Sequence, residues 1–376
     1  MFQGLTRLLA IRLTDFSDIR SQMRNREKEK HSSESKSSDD DRGTFFFAKV
    51  WFFHVNATDP WSHSLIRISP SLITKGYKTI ITHKRFRAYL IGGNNSRQNY
   101  EFILERKVFK ERAQMKHKRA YYAHSIKNDK YIYVIGGRGD SELTQFSQFT
   151  YSQFTMERFD IEENKWHELS AILEDGRYHA SACILKDRYI YVFGGYKTEL
   201  FYSKVAYKVT RKHEKLQSVR PDYIEVYDTE NDEFYNPLLK KERPYFIQIN
   251  INRNHLNNVG NLICFPLQKN YNNYVNQDSP NPYHVEDSNE ILITGGLFIG
   301  IIDVKAHVYN IETNRVNQRK DLSMPFPDIS KFYYHTPQNK VYVVGRYRIQ
   351  EFDLEKVEWR QCGLGFVQFC EQSWSF

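Results

Sequence analysis

The sequence predicts an all-β repeat protein made of short antiparallel strands, and two observations predict it. An apolar run rich in Tyr, Ile and Val, stopped by glycine, recurs as YLIGG to Gly93, YIYVIGG to Gly137, YIYVFGG to Gly195, ILITGG to Gly296 and, weakened, VYVVG to Gly345. Such a run reads as a buried strand ending where the backbone needs torsion angles, or a closeness, that a Cβ forbids. Downstream of the glycines two bulky residues stand seven apart: Phe102 and Phe109, Phe159 and Trp166, Tyr227 and Phe234, Phe352 and Trp359, with Tyr309 and Val316 as a weaker pair.

Composition agrees. A chain of 376 residues with 40% hydrophobic and 15% aromatic content can build a core, and the aromatic excess suits strands better than helices. Length would allow two average domains, but the repeats favour one large one. Four cysteines, Cys183, Cys264, Cys362 and Cys370, match no zinc spacing, and no secretory signal is recognisable, so a reduced, cytoplasmic setting is expected. No run reaches the roughly 18 apolar residues that a membrane-spanning helix needs.

Taken in order, residues 1–43 are expected to be a flexible polar tail. A short amphipathic helix up to Lys30 is followed by HSSESKSSDDDRG, which cannot bury apolar surface. Residues 44–376 are expected to form the repeat domain. A position 17 residues before the first glycine opens each inner strand pair: Lys75 before Gly92, Arg119 before Gly136, Arg177 before Gly194 and Asp328 before Gly345. A constant spacing means that the two strands and their turn keep one length, as a radially repeated sheet requires. The bulky pairs mark two further strands. Asp160, Asp228, Asn310 and Asp353 directly follow the first bulky residue, and Asn164, Asp232 and Asn314 stand five after it, which reads as strand, tight turn, strand.

Together these elements resemble the kelch repeat, with its double glycine, its third-strand Tyr and its fourth-strand Trp or other aromatic; the resemblance covers roughly Thr44 to Arg360. It implies a kelch-type β-propeller of four-stranded antiparallel blades around a central channel. It gives Gly92, Gly93, Gly136, Gly137, Gly194, Gly195, Gly295, Gly296 and Gly345 a structural role. The same holds for the aromatics Phe159, Trp166, Tyr227, Phe234, Tyr309, Phe352 and Trp359.

The double-length interval from Gly194 to Gly295 is expected to hold an inserted loop at about 252–285, on the loop chemistry of LQKNYNNYVNQDSPNP, with Arg243 or Asp278 opening the strand pair. KVWFFHVNATDPW resembles the outer strands of a blade. Pairing it with the alternating GFVQFCEQSWSF, Gly365 to Phe376, would close a ring of six blades, the closing one incomplete.

No nucleophile and base, metal cluster or phosphate loop is recognisable, so neither enzyme activity nor a cofactor is expected. GGRG lacks the Lys-Ser/Thr of a phosphate loop. His124, His179 and His335 fall at first-strand positions and are expected to be packed rather than to bind metal. The RGD of Arg138 to Asp140 and the glycosylation signals at Asn56 and Asn94 would matter only outside the cell. A non-catalytic protein-interaction scaffold is expected, with ubiquitin-ligase adaptor and propeller enzyme as alternatives. The net charge of +9 is accounted for by two runs, Glu105 to Arg119 with seven basic and two acidic residues, and Lys197 to Lys215 with six and two. By the resemblance both fall in connections on one side of the disc. Arg119, Arg138, Arg177, Lys208, Arg211 and Lys212 are therefore candidate contacts to a protein partner with an acidic surface, with nucleic acid disfavoured.

Overall fold

Along Tyr131–Ile135 every residue but the first is buried, as along Tyr189–Phe193. A strand sealed on one face alone would alternate; continuous burial means both faces are covered. The computed structural model shows what covers them. It describes residues 7–13, 46–54, 61–68, 78–81, 87–93, 96–103, 105–140, 150–174, 176–205, 208–218, 223–234, 246–248, 260–267, 289–298, 301–302, 304–323, 330–335, 340–345, 348–354 and 356–364.

Five antiparallel sheets of propeller type stand around the molecule. The first holds Lys78–Ile81, Ala88–Ile91, Asn99–Ile103 and Val108–Glu111; the second Ala123–Lys127, Tyr131–Ile135, Met156–Asp160 and Lys165–Glu168. The third holds Ser181–Leu185, Tyr189–Phe193, Tyr223–Asp228 and Glu233–Phe234, and the fourth Gly260–Leu267, Glu290–Phe298, Ala306–Asn310 and Arg315–Gln318. Ser330–His335, Lys340–Gly345, Arg348–Asp353 and Glu358–Leu364 make the fifth.

The period of two along each strand sends alternate residues to opposite neighbours. Ile132 and Val134 pack with Tyr89 and Ile91 of the first blade, whereas Tyr133 and Ile135 pack with Ile190 and Val192 of the third. Tyr191 and Phe193 in turn meet Ile291 and Ile293, and Leu292 meets Val341 and Val343. The core is thus a series of layers between blades, each fully buried side chain contributing about 1.5–3 kcal/mol.

The bulky pairs seven apart stand directly opposite one another across the outer hairpins: Phe102 and Phe109, Phe159 and Trp166, Tyr227 and Phe234, Tyr309 and Val316, Phe352 and Trp359. Their turns use the expected residues. Asp160 Oδ1 accepts from the backbone N–H groups of Glu162 and Glu163, both at 2.9 Å, and Asn310 Oδ1 accepts from Thr313 N at 2.9 Å. Asn164, Asp232 and Asn314 take φ of 54°, 53° and 52°, the left-handed conformation that short polar side chains tolerate.

Three expectations are corrected. Among the described residues the ring has five blades rather than six: Ser330–His335 of the last sheet lies beside Lys78–Ile81 of the first. The outer pair near the N-terminus exists as Phe46–His54 against Trp61–Ile68, but Arg7–Leu13 covers its other side. That strand stands where a helical leader was expected, and its seven pairs satisfy backbone groups the C-terminal segment was meant to satisfy; Gly365 to Phe376 lies outside the described residues. Third, part of the expected insertion at 252–285 is the buried inner strand Gly260–Leu267, while Phe246–Gln248 pairs with Tyr223–Glu225 of the third blade. The inner pair of the fourth blade therefore opens neither at Arg243 nor at Asp278.

Candidate functional site

In an antiparallel blade the end of strand two, the start of strand three and the entry to strand one share one end, so their connections share one face. Three structural features meet there: locked arginines, glycine contacts, and ribbons that rise from the sheets.

Arg119 and Arg177, each 17 before a glycine, are 0% exposed. Arg119 Nε donates to Glu157 Oε1 at 2.9 Å, and its Nη1 donates to the carbonyls of Gly136 and Thr155, both at 2.8 Å. Arg177 repeats the arrangement, with Nη2 on Glu225 Oε2 and Nη1 on the Gly194 carbonyl at 3.3 Å. The two carboxylates also receive the incoming chain: Glu157 accepts from Lys116 N at 2.6 Å, and Glu225 from Glu174 N at 2.6 Å. Burial lowers Arg119 from its ordinary value, with Glu157 opposing the shift. Side chains without accessible surface cannot touch a partner, which corrects their expected place among the contacts: they lock connections to blades. The signal was in the sequence. Glu157 and Glu225 stand two before the third-strand aromatics Phe159 and Tyr227, where the blade with Asp328 at the arginine position has Gln350.

The glycine pairs join one blade to the next. Gly93 N donates to Arg119 O at 2.8 Å and Gly137 N to Arg177 O at 2.7 Å. A Cβ on Gly92 would lie 2.3 Å from Arg119 O, and one on Gly136 2.5 Å from Arg177 O. Trp166 Nε1 donates to Ala113 O and Trp359 Nε1 to Leu322 O, both at 2.7 Å, so each tryptophan ties down the connection entering its blade.

Similar bonds engage part of the first basic run. Arg112 Nη2 donates to Ile161 O at 2.8 Å, and Lys116 and His117 reach Glu168 at 3.4 and 3.0 Å. The hydrogen bond to His117, with Lys116, holds the Glu168 carboxyl below its ordinary value despite some desolvation. Arg106, Lys107, Lys110 and Lys118 stay exposed, so the first run keeps positive charge alongside the second.

That run forms a long hairpin, Tyr196–Val205 paired with Lys208–Ser218, set between strands two and three of the third blade. Its register, with a bulge after Ser203, places Lys197, Lys208, Arg211 and Lys215 on one face with Glu199, and Lys204 and Lys212 on the other. Lys208 and Arg211 are thus brought together and Lys212 is not. The equivalent connection of the second blade is a shorter ribbon, Arg138–Asp140 with Thr150–Ser152, and Thr150–Ser152 lies beside Tyr196–Val205. Here Arg138, of the RGD tripeptide, sits with its guanidinium 5.6 Å from the centre of the Tyr178 ring.

Of the histidines, His124 lies on the inner strand of the second blade, where desolvation, with Lys78 second, lowers its pKa to about 3. His179 lies just before the inner strand of the third blade rather than on it. His335 is on Ser330–His335, its side chain outside the described residues. Among the described residues no group of three or more His, Cys, Asp and Glu could hold a metal ion, and no helix is long and apolar enough to cross a membrane.

No curated protein matches the sequence. A family model described as the Kelch motif matches residues 120–171, from the residue after Arg119, through all four strands of the second blade, to the connection beyond it. The chain is a β-propeller that carries a Kelch motif.

Proposed function

We propose that the protein is a non-catalytic scaffold that binds a protein partner through the face on which its ribbons rise. The observation that carries this is the long hairpin Tyr196–Ser218, seated on a blade and gathering Lys197, Lys208, Arg211 and Lys215 on one side. A strand pair longer than any blade strand serves no closure of the ring, and loops held by a rigid scaffold are where binding residues concentrate. A mainly basic face of this kind attracts an acidic protein surface and speeds the encounter. Cys183 and Cys264, buried as thiols rather than joined in a disulfide, fit a reducing cytoplasmic setting.

The test is to replace Lys208, Arg211 and Lys215 together by Glu and to capture partners from a lysate at low and moderate salt, with identification by mass spectrometry. A partner held by the native protein, weakened by salt and lost on reversal, is the expected result. Capture indifferent to both changes would refute this face.

A further inference from the structure

Among the described residues eleven other than glycine have positive φ. Nine sit in turns of the blade hairpins; Tyr121, at 55°, and His179, at 58°, do not. Each stands two residues after a locked arginine, so the same strained backbone recurs in consecutive blades. A ring-bearing residue is costly there, and such strain persists where the surroundings over-determine it and a site makes use of it.

The two residues meet. His179 N donates to Tyr121 O at 2.7 Å, and the rings lie against each other at a tilt of 35° with centroids 4.6 Å apart. Tyr178 and Tyr196 flank the imidazole at 5.3 and 6.3 Å, and Arg138 lies over Tyr178. Tyr178 is buried, whereas Tyr121, His179, Tyr196 and Arg138 are all partly open to solvent. Desolvation, with Tyr178 adding to it, raises the Tyr196 hydroxyl above its ordinary value. Tyr196 is also the first residue of the basic hairpin, and Arg138 the first of the ribbon beside it. Rings and cation thus share one patch at the foot of both ribbons.

We infer that this patch anchors an acidic, partly apolar segment of the partner protein. Carboxylates of that segment meet Arg138 and the cations of the hairpin, and an apolar side chain covers the rings of His179 and Tyr196. Partly exposed Tyr and Arg flanked by buried rings are the residues that dominate protein interfaces. The inference rests on the reading that this face binds protein, and it adds where the binding is centred.

The probes are a fluorescein-labelled peptide of alternating Glu and Leu, the same peptide with Gln for Glu, and a labelled single-stranded oligonucleotide, each followed by anisotropy. Expected is binding of the acidic peptide, weakened about tenfold by His179→Gly and by Arg138→Gln, the scale of a residue that matters in an interface. Because Gly relieves the left-handed strain, Tm of His179→Gly and Tyr121→Gly is expected to stay level or rise. His179→Asn, which tolerates the same backbone and keeps a side chain, is the second variant should glycine fail to fold, with the same loss of binding expected. Acidic-peptide binding that survives these changes but fails on hairpin reversal would remove the patch and leave the charged face standing. A fall in Tm for both Gly variants and for Asn would make the rings architectural. Failure of the acidic peptide to bind, or tighter binding of the oligonucleotide, would likewise overturn the inference.

Discussion

Gly136 shows how much one position can carry. Its φ of 60° is left-handed, its carbonyl accepts from Arg119, and the space where a Cβ would stand is taken by the Arg177 carbonyl. Strain and clash together should make Gly136→Val cost on the order of 3 kcal/mol. Urea denaturation checks this, and an unchanged midpoint would show that the close approach is not needed. The glycine itself was legible, because it stops an apolar run. Its neighbour was not: nothing local says that the crowding atom is a backbone oxygen 41 residues away on the next blade.

Between elements, the arginine locks do what the hydrophobic layers cannot. Layers hold blades face to face, but an irregular connection crossing between blades has backbone groups that burial alone would leave unpaired. Glu157 takes the N–H groups of Lys116 and His117 and is itself neutralised by Arg119. Removing either partner strands a buried charge, so Arg119→Ala and Glu157→Ala should each cost about 3–5 kcal/mol. The double mutant should cost less than the sum by about 1–3 kcal/mol, because the second change removes a charge already unpaired. Additive losses in a urea-denaturation double-mutant cycle would mean that the two residues act separately. The spacing of 17 was visible in the sequence as a constant. Its chemistry was misread, because an arginine in a connection ordinarily faces water, and burial is decided by the neighbouring blade.

For the whole molecule, the meeting of Ser330–His335 with Lys78–Ile81 joins the last blade to the first without the N-terminal sheet, which among the described residues reaches the first blade through Trp61–Ile68 beside Val108–Glu111. A chain beginning at residue 70 should therefore still melt in one cooperative transition, with the loss confined to contacts such as that of the buried Ile66. Circular dichroism on heating tests this. A truncated chain without a cooperative transition would place the N-terminal strands in the core of the ring.

What the sequence determined by itself is everything repeated within a blade: the inner strands by their apolar runs, the outer hairpins by bulky pairs and turn residues, and hence the propeller class. These depend on contacts close along the chain and on a period that copies them. The tertiary structure alone decided the number of blades, the origin of the fourth inner strand at Gly260, the burial of Arg119 and Arg177, and the joining of Tyr121, His179, Tyr196 and Arg138 into one patch. Each of these is set by one blade meeting another. A repeat fixes the shape of its unit, but the angle at which units pack decides when the ring is full and which side chains it seals from water.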